Sequence, residues 1–183
     1  MIYAIDSRTV NIPEDTVFFA LKGRMNDGHD YIKSLYSKGV REFVVSRHLP
    51  EFKNMPDATF HYVDNVLDEL QNMAGKRRNE FHGEVVGITG SNGKTVVKEW
   101  IAQLMEQDIP LYRSPRSYNS QIGVPLSILG IDDNIEIALI EAGMSRKGEM
   151  KRLQKIIRPD VGIFTHFGDA HSENFKDDEE RLE

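Results

Sequence analysis

The stretch Glu84-Val85-Val86-Gly87-Ile88-Thr89-Gly90-Ser91-Asn92-Gly93-Lys94-Thr95 decides the fold. Glu84 to Ile88 is rich in apolar and β-branched residues and reads as a strand. A glycine-rich loop follows it. Beyond the loop, Val97, Trp100, Ile101, Leu104 and Met105 recur at helical spacing. They form the apolar stripe of an amphipathic helix, with Trp100 expected in the core. A strand, a glycine loop and a helix in this order can hold a nucleotide phosphate. Glycine lets the backbone come close to the ligand and take positive φ. Successive N–H groups form an anion nest, and the helix turns its positive end to the same point. Gly90, Ser91, Asn92, Gly93, Lys94 and Thr95 are therefore the expected nucleotide-binding residues. Lys94 would neutralise the β- and γ-phosphates of ATP, and the Thr95 hydroxyl would ligate Mg²⁺.

The spacing departs from the usual phosphate-loop pattern, which needs glycine at the position of Ile88; the glycines here are Gly87 and Gly90.

Downstream, Ile135 to Ile140 forms a near-continuous apolar strand ending at Glu141, where a carboxylate can hold Mg²⁺. Ser145 is a candidate cap for a helix carrying Met150, Leu153, Ile156 and Ile157. Val161 to Thr165 is the next strand, and His171 follows it. Residues just past strand C-termini are where open α/β sheets place their chemistry. Strands alternating with helices imply a doubly wound, mainly parallel sheet, and unbroken apolar runs suit strands covered on both faces.

Upstream lies a smaller α/β unit. Its strands are expected at Val17 to Leu21, Val40 to Val45 and Thr59 to Val63. Asn26-Asp27-Gly28-His29 is turn chemistry. Tyr31, Ile32 and Leu35 have helical spacing, with Gly39 as C-cap. A second helix starts with Asp64 as expected N-cap and carries Val66, Leu67, Leu70, Met73 and Ala74. The polar run Gly75 to Glu80 is expected to end it as a solvated tip. The fold class is thus α/β: a small N-terminal α/β substrate domain over 1–81, then part of a P-loop sheet domain over 82–183.

The 183 residues carry a net charge of −6, which argues against a nucleic-acid or anionic-membrane surface. The absence of cysteine excludes disulfides and thiolate chemistry. No run approaches the ~18 apolar residues of a membrane span, and Met1 to Asp6 lacks the features of a signal peptide. A cytoplasmic, monomeric protein is expected.

Several ordered motifs resemble those of the Mur ligases, the amide-forming enzymes of peptidoglycan synthesis. Gly87 to Thr95 is similar to their ATP loop, whose first glycine comes one place early. Asn119-Ser120-Gln121-Ile122-Gly123-Val124-Pro125-Leu126 resembles their asparagine segment. Glu141-Ala142-Gly143-Met144 resembles their magnesium-binding glutamate, and Gly168-Asp169-Ala170-His171-Ser172-Glu173-Asn174-Phe175 their histidine segment. Asp6-Ser7-Arg8, Phe18 to Gly23 and Asp27-Gly28-His29 resemble the domain that holds the UDP-sugar.

The resemblance implies catalytic roles for Lys94, Asn119 and His171. It implies metal ligation by Thr95, Glu141 and His171, and substrate binding by Ser7, Arg8 and Asn119. It further implies that ATP activates a UDP-N-acetylmuramoyl-peptide as an acyl phosphate, which D-alanyl-D-alanine then attacks. The family member that adds the third residue of the stem peptide, and a P-loop regulatory module, are the alternatives. Family members have three domains, so the chain is expected to stop inside the second and to be inactive alone. The family's carbamylated lysine would lie beyond Glu183.

Overall fold

The computed structural model describes residues 1–168. Two compact units divide between Leu70 and Gln71, inside a helix, whereas the sequence-based division falls after residue 81.

The first unit holds a four-stranded parallel sheet in the order β1 (Ile2–Ala4), β2 (Thr16–Phe19), β3 (Glu42–Val45), β4 (Thr59–Tyr62). Every residue of β2 is buried, as its apolar run requires. Helix α1 (Ile32–Lys38) buries Ile32 and Leu35 and ends at Gly39, whose φ of 112° is the left-handed cap that glycine supplies. Helix α2 (Val66–Glu80) differs from expectation at both ends. Asn65, not Asp64, caps it: its Oδ1 accepts from the N–H groups of Leu67 and Asp68 at 2.9 and 3.3 Å. Gly75 does not stop it, and the basic run is no solvated tip. Arg77 donates to Ile131 O, and Arg78 to Ile157 O and Arg158 O. These carbonyls lie at or just past helix C-termini, where cations satisfy acceptors without intrahelical partners.

The second unit is built on a parallel sheet in the order β6 (Leu111–Arg113), β7 (Ile137–Glu141), β5 (Glu84–Thr89), β8 (Val161–Phe164). On one face Val85, Ala138 and Ile140 pack with Ala74 of α2, Val124 and Ile128 of α4 (Gly123–Leu129), and Leu153 of α5 (Glu149–Ile157). On the other, Ile88 and Leu139 pack with Ala102, Val97 and Ile101 of α3 (Lys94–Met105). Helices thus cover both faces, the doubly wound arrangement. Strand β8 departs from it, with Val161 and Phe164 about half exposed. Helix α5 begins behind Gly148 rather than at Ser145.

Trp100 is not in the core. It is 64% exposed and stands with exposed Val96 and Leu104 on the outer side of α3. The buried side of that helix carries Lys98 and Ala102, flanked by Val97 and Ile101. A lysine at the centre of the inward face takes the place expected for Trp100, while Val97 and Ile101 of the expected stripe keep theirs. Among the described residues no helix is long and apolar enough to cross a membrane.

Candidate functional site

The glycine loop joins the C-terminal end of β5 to α3, at the centre of the second sheet. Gly87 is not part of the loop. It lies within β5, opposite Ile140 and Gly162, and a Cβ there would come 3.1 Å from Pro159. The loop's own glycines are Gly90 and Gly93, with φ of 134° and 83°. Gly93 is the N-cap of α3. A Cβ on Gly90 would meet the backbone of His166 at 3.0 Å.

The segment after β8 braces the loop from beside it. Ser91 N donates to His166 O at 2.7 Å, so this N–H of the expected nest is already engaged. Ser91 Oγ lies 3.0 Å from both N and O of Gly168. Thr165 Oγ1 donates to Asn92 O at 2.6 Å and approaches Thr89 O at 3.1 Å. What remains open to an anion is the first turn of α3, whose N–H groups have no intrahelical acceptor. Lys94 folds back to donate to Gly90 O at 2.6 Å. Burial pushes its ammonium pKa down, and the nearby Glu141 charge partly offsets this.

Glu141 is the other half of the site. It ends β7 fully buried. Thr95 Oγ1 donates to its Oε2 at 3.1 Å, which brings the two expected metal ligands into contact. Its Oε1 receives no hydrogen bond; the Lys98 ammonium stands 2.9 Å away as an ion pair. The hydrogen bonds of that ammonium go elsewhere, to Ser114 O and Arg116 O at 2.6 and 2.7 Å. Two hard oxygen ligands side by side, one of them a carboxylate oxygen, fit a small divalent cation. Asn119 is held near the same strand end by its backbone, its O accepting from Gly143 N at 2.7 Å. A Cβ on Gly143 would crowd that oxygen to 2.8 Å.

The sequence reading therefore brings Lys94, Thr95 and Glu141 together and sets Asn119 beside them. His171 lies outside the described residues. Lys98 was missed. The signal available was its spacing, i+4 from Lys94 and i+3 from Thr95, which puts all three on one side of α3.

In the first unit, Asp6, Ser7, Arg8, Asn26, Gly28 and Tyr31 line an open cavity of about 520 Å³. Arg8 is not free within it. Its guanidinium grips Asp6 through Nε and Nη2 at 2.9 and 2.7 Å, and holds the Asp6 carboxyl down to about 2. Asp27 and His29 shape the loop. Asp27 Oδ1 accepts from His29 N at 3.0 Å and from His29 Nδ1 at 2.6 Å. His29 Nε2 accepts from Ser46 N at 3.1 Å, which fixes the proton on Nδ1. Burial pushes the Asp27 carboxyl up, but the two bonds from His29 outweigh it and hold the pKa below its ordinary value.

A phosphate loop at the C-terminal edge of a parallel sheet, facing a buried strand-end carboxylate, defines a P-loop-type nucleotide-binding domain. The model of the Mur ligase middle domain matches residues 88–183, and the chain belongs to the Mur ligase family. It is 32% identical over 175 residues to the UDP-N-acetylmuramoyl-tripeptide–D-alanyl-D-alanine ligase of Bacillus subtilis, covering 95% of this chain and 38% of that protein. The enzyme of the same name from Borreliella burgdorferi is 37% identical, covering 96% of this chain and 39% of its own length. Among solved structures, MurF from Acinetobacter baumannii superposes with a TM-score of 0.88 at 25% identity, over 98% of this chain and 38% of that one. MurF ligase from Thermotoga maritima, in complex with ADP, gives 0.84 at 33% identity, over 99% and 41%. The chain thus spans well under half the length of these relatives.

Proposed function

We propose that the chain forms the UDP-sugar-binding domain and the first part of the ATP domain of a ligase that adds D-alanyl-D-alanine to UDP-N-acetylmuramoyl-tripeptide. The observation that carries the reading is the Thr95–Glu141 contact beside Lys94, in a chain whose relatives bear that enzyme's name over nearly its whole length.

The chemistry joins two anions. The terminal carboxylate of the tripeptide attacks the γ-phosphorus of ATP, giving an acyl phosphate and ADP. The amine of D-alanyl-D-alanine then attacks the acyl carbon and phosphate leaves. Catalysis is mostly positioning and charge stabilisation. Lys94 and the first turn of α3 hold the β- and γ-phosphates. Thr95 and Glu141 hold Mg²⁺, which offsets the charge between the phosphates and the incoming carboxylate. Asn119 would orient that carboxylate, and His171, on the strength of the family resemblance, would help hold a second Mg²⁺. Ser7 and Arg8 take the uridine diphosphate end, to which a planar guanidinium is suited. ATP as co-substrate fits a cytoplasmic reaction.

The test is Lys94→Ala in the longer protein that contains this chain. Ligation should fall about 10³-fold while the melting temperature holds. Ligation at near-normal rate would end the reading.

A further inference from the structure

Lys98 is wholly buried and has no place in the roles above. It is held from four directions. Two carbonyls, Ser114 O and Arg116 O, accept its protons. Glu141 Oε1 lies at 2.9 Å, and Glu99 Oε1, whose second oxygen pairs with Arg113, lies at 3.3 Å. Arg116 has a φ of 49°, a left-handed conformation that a non-glycine residue keeps only when its surroundings hold it. A lysine is seldom buried without partners of opposite charge. Here the nearer of the two carboxylate partners is Glu141, whose other oxygen accepts from Thr95 at the end of the nucleotide loop.

The carboxylate has two ends, and they face different neighbours. Oε1 is set against Lys98 inside the core. Oε2 is turned to Thr95 at the foot of the loop. We infer that Lys98 is a positioning residue for the cation site: it fixes Glu141 so that Oε2 alone is presented beside the Thr95 hydroxyl. This rests on the reading of Glu141 as a cation ligand. Lys98 acts from behind the ligand, as outer partners of metal ligands do when they set orientation and charge. Through the 114–116 carbonyls the same ammonium ties α3 to the segment that leads to Asn119.

The experiment measures ADP affinity of the 183-residue chain with and without Mg²⁺, by calorimetry, in the wild type, Glu141→Gln and Lys98→Met. The wild type should bind ADP more tightly with Mg²⁺, and Glu141→Gln should lose that gain. Lys98→Met should lose about tenfold or more of the gain while its affinity for ADP without Mg²⁺ stays within about twofold. A Lys98→Met protein that gains as the wild type does, while Glu141→Gln does not, overturns this inference alone. A wild type indifferent to Mg²⁺, or a Glu141→Gln protein that behaves as the wild type, overturns the cation reading and this inference with it. Equal losses with and without Mg²⁺ in Lys98→Met mark a merely structural lysine and also overturn it. The wild type gives a second readout that needs no variant. The Lys98 ammonium resonance in a ¹H–¹⁵N spectrum should shift when Mg²⁺ is added to the ADP complex. A resonance unmoved by Mg²⁺ overturns the inference.

Discussion

Two ion pairs mark the two candidate sites, and they are opposites. Lys98 and Glu141 meet with both side chains fully buried. Arg8 and Asp6 meet with the arginine 87% exposed. The first pair cannot be separated without leaving a charge in the core, so its geometry is permanent and suits a ligand that must always face one way. The second pair stands in water and gains little by staying closed. If Arg8 takes a phosphate as proposed, it can leave Asp6 at small cost. One candidate site holds its ion pair buried and the other holds it in solvent.

The sharpest break in this comparison is removal of one buried charge. Lys98→Met leaves Glu141 in the core with only the Thr95 hydroxyl on its side chain. Loss of one member of a buried pair costs about 3–5 kcal/mol, which urea unfolding would read. Glu141→Gln should cost less, because the ammonium keeps its two carbonyls. The double variant should be more stable than Lys98→Met, since no unpaired charge remains. A double variant no better than the single would mean that packing, not charge, fixes this corner.

A smaller effect tests whether the buried site is held as tightly in its backbone. Gly90→Ala puts a Cβ against the His166 backbone at a φ of 134°. It should cost about 1–3 kcal/mol and weaken ADP binding. Gly75→Ala is the control. That glycine lies inside α2 with nothing within 4 Å of an added Cβ. It should add about 0.5–1 kcal/mol. Equal responses of the two glycines in thermal melts would remove the claim that the loop is over-determined.

The glycine loop, Glu141 at its strand end and the parallel α/β class were legible because their signals are local. A phosphate needs glycine, lysine and a hydroxyl within a few residues, and a buried parallel strand needs an apolar run. The misreadings all involve tertiary choices. Periodicity assigned Trp100 inward, whereas that place goes to Lys98, whose ammonium meets Ser114 O, Arg116 O and Glu141, all distant in sequence. Gly75 and the arginines after it read as a helix end, because their acceptors, Ile131 O and Ile157 O, are more than fifty residues away in sequence. Strands β1 and β6, of three residues each, are too short to show a period. Asp64 and Asn65 are both competent caps, and the side chain that reaches the helix decides between them.

The smallest effect belongs to the exposed pair, and there pH separates it from the buried one. The Arg8 guanidinium holds the Asp6 carboxyl at about 2, below its ordinary 3.8. A carboxyl depressed in the folded state binds fewer protons than in the unfolded chain. Its stabilisation is therefore complete above 3.8 and is lost as pH falls through about 2. Arg8→Ala should melt only slightly below the wild type near neutrality, because a solvated pair contributes little. That small difference should be whole above 3.8 and should vanish as pH falls through about 2, where the carboxyl is protonated with or without Arg8. High salt should shrink even that difference, since exposed charges are screened within a few ångströms at about 1 M. If Arg8→Ala instead lowered the melting temperature by many degrees at neutral pH and the loss survived salt, Arg8 would be part of the unit's framework. It could not then be an arginine free to change partners, and the contrast between a fixed site and an exchangeable one would fail at its weaker end.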